Sequence, residues 1–135
     1  MKTDAVILKL RELKLAYAEN KLWRDPAQLP NHLAEFLGYA TILYSHYAEF
    51  IVSYRTKESE ILVDELGKMG EINSLATKRD DKRTASEKDD RITIRMATIK
   101  GQRERLEAEV KSATLHINGI QSLMKRFSDE AKGGM

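Results

Sequence analysis

The sequence predicts an all-α protein: a short N-terminal helix followed by a long antiparallel helical hairpin, coiled-coil-like and oligomerising. Three observations predict it. Apolar residues recur in alternating steps of four and three along most of the chain, which is the period of a helix face and not of a strand. Only two prolines occur in 135 residues, and both fall in one short segment. Charged residues make up 33% and hydrophobic residues 41%, the mixture of long helices with wet faces and too apolar for a disordered chain. At this length the chain reads as a single helical domain, residues 1–135, with one core.

The first helix is expected over residues 4–20. Thr3 or Asp4 can cap it, either oxygen accepting from an amide that has no partner within the helix. Val6, Leu10, Leu13 and Tyr17 share one face, and Leu8 and Leu15 widen it. Residues 21–30 form the linker. Both Pro26 and Pro30 lie there, and each disfavours helical geometry in the residue before it. Trp23 is read as an apolar clasp holding this linker against a neighbouring helix.

The second helix is expected over residues 31–77, with Asn31 as its cap. Leu33, Leu37, Ala40, Tyr44, Tyr47, Ile51 and Tyr54 trace a heptad seam. Phe36, Leu43 and Phe50 flank it, a face broad enough to meet more than one partner helix. The pattern lapses at Thr56–Glu60 and resumes displaced in phase at Leu62, Leu66, Met69, Ile72 and Ala76, as a stutter within one continuous helix does. Gly67 and Gly70 each cost about 1 kcal/mol in a helix interior and mark a weak or closely packed stretch.

Residues 78–86 form the tip. The third helix, residues 87–128, carries the most regular pattern. Ile92, Met96, Ile99, Arg103, Leu106, Val110, Ala113, Ile117, Ile120, Met124 and Phe127 follow one another in unbroken steps of four and three, and only Arg103 is polar. Ser86 with Asp89 resembles a capping box. A helix of this length spans about 60 Å at 1.5 Å per residue. Residues 129–135 are expected to fray as a tail. So long a hairpin has little interior, so the surplus apolar face is expected to be covered by other copies of the chain. Leu106, Val110, Ile117, Ile120, Met124 and Phe127 are the expected core positions of that homo-oligomer.

Composition excludes several chemistries. No cysteine is present, which removes disulfides, thiolate nucleophiles and thiolate metal ligands together. His32, His46 and His116 never fall at the spacing that puts two ligands on one helix face, so each reads as a surface or packing residue. No glycine-rich loop follows a strand, and Asp80-Asp81 and Asp89-Asp90 lie in a charged, exposed stretch. The sequence therefore offers no catalytic residues, metal site or cofactor site, and it is not read as an enzyme. No apolar run approaches the roughly 18 residues that span a bilayer. The Ala5–Leu8 stretch is too short for a signal peptide. A cytoplasmic protein with no membrane partner is expected.

The net charge is only +2, but it is unevenly spread. Residues 1–76 hold 9 Lys and Arg against 11 Asp and Glu, a balance of −2; residues 77–135 hold 14 against 10, a balance of +4. Lys78, Arg79, Lys82 and Arg83 cluster at the expected tip. Lys88, Arg91, Arg95, Lys100, Arg103 and Arg105 continue along the third helix. Arg91 and Arg95 are one turn apart and project from one face. Lys78, Arg79, Lys82, Arg83, Arg91 and Arg95 are the candidate nucleic-acid-binding residues, able to track a phosphate backbone by displacing its counterions. The competing reading is a solvated face of mixed charge, since Asp80, Asp81, Glu87, Asp89, Asp90 and Glu104 are interleaved.

Three stretches carry a likeness: the Leu43-Tyr44-Ser45 turn in an aromatic-rich helix, the basic segment Ala76-Thr77-Lys78-Arg79-Asp80-Asp81-Lys82-Arg83, and the ending Asn118-Gly119-Ile120-Gln121-Ser122-Leu123-Met124-Lys125-Arg126-Phe127. Together they resemble the phage recombination mediators of the UvsY type. The likeness is one of pattern and covers most of residues 33–134. It implies a small helical protein that assembles into a ring and binds single-stranded DNA. It also implies partners: a RecA-like recombinase, and the single-strand-binding protein whose covered strands that recombinase must enter. The alternative is a helical scaffold, adaptor or inhibitor that acts by protein–protein interaction without nucleic acid.

Overall fold

The computed structural model of the chain describes residues 1–76 and 82–133. It contains three α-helices: α1 (Thr3–Glu19), α2 (Leu29–Leu75) and α3 (Ala85–Gly133). A single 3-10 turn, Leu22–Arg24, follows α1. The fold is all-α, with no strand among the described residues, and the two long helices pack against each other. No helix of the described residues is long and apolar enough to cross a membrane.

The helix starts differ from those expected, each for a local reason. Neither Thr3 nor Asp4 caps α1. The N-cap is Lys2, which makes no side-chain cap bond, and the Thr3 hydroxyl instead meets His46 Nδ1 at 2.9 Å. At the other end of α1 the chain turns through Lys21, whose φ of 51° is left-handed, the usual way to leave a helix. The start of α2 comes at Leu29, two residues before Asn31. The Leu29 amide donates to the Asp25 carbonyl and that of His32 to the Gln28 carbonyl. Pro30 sits in the first turn, where its missing N–H would have had no partner. The cap of α3 is Thr84 rather than Ser86: the Glu87 amide donates to Thr84 Oγ1 at 3.1 Å. Nor does α3 end at residue 128. It continues to Gly133, with Lys132 in its last turn suiting the negative helix end.

The contacts group the chain into two compact units: Met1–Ala48 with Leu106–Met135, and Glu49–Arg105. In the first unit Val6 and Leu10 of α1 are buried with Leu29, Phe36, Ala40 and Leu43 of α2 and Leu106, Ala113, Ile117 and Ile120 of α3. The centre of the α2 face therefore runs through Leu29, His32, Phe36, Ala40 and Leu43. The expected seam residues Leu33, Leu37, Tyr44 and Tyr47 lie at its margins, half-buried. Leu22, not Trp23, is the buried residue of the linker; it packs with Leu29 and Ile120, against Tyr17, Met124 and Phe127. Trp23 is 41% exposed. Polar contacts edge the unit: Arg11 with Glu109, Lys14 with Ser112, and the Tyr44 hydroxyl with Thr114.

The second unit has a thin core. Tyr54, Ile61 and Met96 are buried, and Phe50, Ile92 and Ile99 pack against them. The polar Arg103 of the α3 seam lays its guanidinium 4.8 Å from the Tyr54 ring centre, a cation–π contact. Through Thr56–Glu60 α2 stays continuous. Beyond this stretch Ile61 and Glu65 face the core, while Leu62 and Leu66 are 40% and 47% exposed. The expected phase is thus displaced by one residue.

Candidate nucleic-acid interface

The basic segment meets α2 within the Glu49–Arg105 unit, and one carboxylate organises it. Glu65 lies in α2 at a core position and is 1% exposed. Taking a carboxylate out of water is strongly unfavourable unless cations and hydrogen bonds compensate it. Here two arginines do so. Arg83 Nη1 lies 3.1 Å from Glu65 Oε2 and Arg95 Nη1 lies 2.9 Å from Glu65 Oε1. Asn73 holds the Arg83 backbone at both ends. Its Oδ1 accepts from the Arg83 amide at 2.7 Å and its Nδ2 donates to the Arg83 carbonyl at 3.2 Å. Arg95 reaches a second carboxylate, Asp64 Oδ2, at 2.6 Å, and Lys68 approaches the same oxygen at 3.1 Å. Hydrogen bonds from Arg95 first, then Lys68, hold the Asp64 carboxyl below the usual carboxylate range.

These contacts sort the six candidate cations. Arg83 is turned inward, with its side chain 11% exposed. Arg95 is divided between two carboxylates but keeps 37% of its side chain in solvent. Lys82 and Arg91 are exposed. Lys78 and Arg79 lie outside the described residues. Of the other cations in the segment, Lys88 leans on Asp89 and Arg103 is on Tyr54.

A feature that charge counting does not single out runs along α3. Arg91, Arg95, Thr98, Gln102 and Arg105 follow in steps of four, three, four and three, which places them on one face of the helix, and all five are exposed. Glu87 bounds this ridge one turn before Arg91. Between Arg91 and Arg105 the ridge holds no carboxylate of its own. Its signal was present in the sequence, since it is the register lying one residue ahead of the Ile92 seam. Beside it Ile94, 74% exposed, joins Arg91, Arg95 and Glu65 in lining an open depression of about 360 Å³. Polar donors in a row with an apolar floor can hold phosphates and the edge of a sugar or base. The tyrosines take no part in the ridge. Tyr54 is buried, and the hydroxyls of Tyr44 and Tyr47 are spent on Thr114 and Glu107.

Among the described residues no three His, Cys, Asp or Glu side chains gather to hold a metal ion. No known protein family, curated protein or solved structure matches the chain.

Proposed function

We propose that the protein is an oligomeric single-stranded-DNA-binding recombination mediator that helps load a RecA-like recombinase. The observation that carries the DNA-binding part is the exposed ridge Arg91–Arg95–Thr98–Gln102–Arg105 on α3. A flexible single strand can bring successive phosphates to such a ridge, and its affinity comes from displaced counterions rather than from base edges. One copy offers few contacts. Several copies along one strand add their contacts by avidity, so DNA binding and assembly go together. Exposed apolar side chains of α2, among them Val52, Val63 and Leu66, support assembly. The recombinase and the single-strand-binding protein enter by the resemblance to UvsY-type mediators.

The same exposed apolar residues favour the second reading, a helical scaffold, adaptor or inhibitor with no affinity for nucleic acid. Fluorescence anisotropy with labelled oligo(dT) at several salt concentrations separates the two. Wild type is expected to bind without sequence preference, and Arg91→Ala/Arg105→Ala to bind more weakly. Its slope of log affinity against log salt should fall by roughly 1.4 if each arginine meets one phosphate. Lys78→Ala/Arg79→Ala/Lys82→Ala should reduce affinity in the same manner. Equal affinities and equal slopes, or no wild-type binding at low salt, leave the interaction-protein reading. Sedimentation equilibrium tests assembly, and a clean 15.4 kDa species at micromolar concentration removes it.

A further inference from the structure

Two histidines that share no helix are brought together in the Met1–Ala48 and Leu106–Met135 unit. His32 stands in the first turn of α2 and His116 in α3, and their Nε2 atoms are 3.0 Å apart. The ring centres are 5.3 Å apart with the planes at 83°, so the two nitrogens lie nearly in line between the rings, the geometry of an N–H···N hydrogen bond. Tyr17 of α1 packs on both imidazoles, its ring centre 5.2 Å from that of His32 and 4.8 Å from that of His116. Phe36 of α2 also packs on His116, with 4.5 Å between the ring centres. Three helices thus converge on one imidazole pair.

The chemistry of that pair depends on how many protons it holds. A neutral imidazole has one donor and one acceptor nitrogen, so a single proton between the two Nε2 atoms satisfies both rings. One further proton can sit on the outer nitrogen of the donor ring and leave the bond intact. The next must go onto the shared acceptor, placing two donors and two positive charges face to face. Their surroundings relieve this only in part. Lys14 approaches from α1 and adds a positive charge, partly answered by Glu109 of α3. Tyr17, the other titratable group from α1, is neutral at these pH values. Glu35 of α2 is the carboxylate that favours a charged His32.

We propose that His32 and His116 form an acid-sensitive latch that fastens α1, through Tyr17, to α2 and α3, and that acidification releases α1. Release uncovers the apolar cluster of Leu22, Leu29 and Ile120 against which Tyr17 packs. Burial first, then His32 and Lys14, push the His116 imidazole down to about 4, and burial lowers His32 despite Glu35. Both folded values lie below the ordinary 6.5. The latch is therefore fully closed above pH 6.5 and weakens as the pH falls toward about 4.

Trp23 is the only tryptophan and lies 6.1 Å from Tyr17, so it reports on the latch. The full chain is titrated from pH 8 to pH 3.5 by tryptophan emission, far-ultraviolet circular dichroism and the histidine ring resonances. The expected result is a shift of Trp23 emission below pH 6.5, while most helical signal remains. His32→Gln/His116→Gln, whose amides keep a neutral hydrogen bond, should lose the shift, and His46→Gln should keep it. A shift that persists in the double variant, or disappears in His46→Gln, overturns the latch. The wild-type resonances stand without any variant. His32 and His116 titrating below 6.5 in step with Trp23 support it, and either ring titrating at its ordinary value, or apart from Trp23, overturns it.

Discussion

Glu65 of α2 and Arg95 of α3, 30 positions apart in sequence, meet at 2.9 Å around a carboxylate that is 1% exposed. Arg83 completes the arrangement at 3.1 Å. Two cations proposed from sequence as DNA contacts thus also hold the fold of their own unit. Removing Glu65 leaves Arg83 facing the interior with no counter-charge, the situation in which breaking a buried pair is most damaging. Glu65→Ala is expected to lower stability by about 3–5 kcal/mol. The apolar Glu65→Met/Arg83→Met pair should lose much less, because neither of these two charges is left buried and unpaired. Urea denaturation of the three proteins checks this. Similar midpoints for Glu65→Ala and wild type would show that the carboxylate is dispensable.

The register of α2 gives a second prediction. Phe36 is fully buried, whereas its neighbour Leu37 is half-buried. Phe36→Ala should cost about 3–5 kcal/mol and Ile117→Ala, buried in the same unit, about 2–5 kcal/mol. Leu37→Ala should be milder than either. Thermal melts followed at the helical signal decide the order. A larger effect at Leu37 than at Phe36 would restore the seam first expected from the heptad.

These two cases show what the sequence could and could not reveal. Three helices, the break in helix around Pro26, and an α3 seam with Met96, Leu106, Ala113, Ile117 and Ile120 inward were legible, because a polar helix shows its one apolar face; that Pro30 belongs to the first turn of α2 was not. Nor was the register of α2. Between residues 33 and 54 apolar side chains cover so wide an arc that either Phe36 and Leu43 or Leu37 and Tyr44 could centre it. Glu65 was missed because a carboxylate at a core position contradicts the apolar pattern, and Leu62 and Leu66 beside it fit that pattern better. The partners Glu65–Arg83 and His32–His116 are separated by 18 and 84 positions. No spacing rule within one helix joins them.

Acid should destabilise the protein through the histidine pair. A group whose folded value is depressed stabilises the fold above its unfolded value, and that contribution is lost as the pH falls through the folded value. For His116, lowered to about 4 from 6.5, the loss begins near pH 6.5 and is complete below about pH 4. At 1.36 kcal/mol per pH unit the full interval gives about 3 kcal/mol. Solvent around a half-buried ring reduces this to about 1–2 kcal/mol. Urea midpoints at pH 7.5 and pH 5 should differ in wild type and differ less in His116→Gln, where only His32 of the pair remains. A wild-type protein equally stable at both values would show that burial does not disfavour the charged ring.

Gly67 and Gly70 carry the last prediction. Both lie inside α2, where glycine is unfavourable by about 1 kcal/mol relative to alanine, because it loses more backbone freedom on folding. Close packing against a neighbouring helix would justify the glycines, since a methyl group would then collide. The structure provides no such reason: a Cβ built at either position meets nothing within 4 Å. Neither residue has a left-handed backbone that would favour glycine. Gly67→Ala and Gly70→Ala should therefore each stabilise the isolated chain, by about 0.5–1 kcal/mol, with the urea midpoint as the measure. If a second copy packs closely on this part of α2, the added methyl groups would weaken assembly while strengthening the fold. Sedimentation of the double variant beside its urea midpoint separates those effects. A lower midpoint in the monomeric protein would mean that α2 needs flexibility here more than helix propensity.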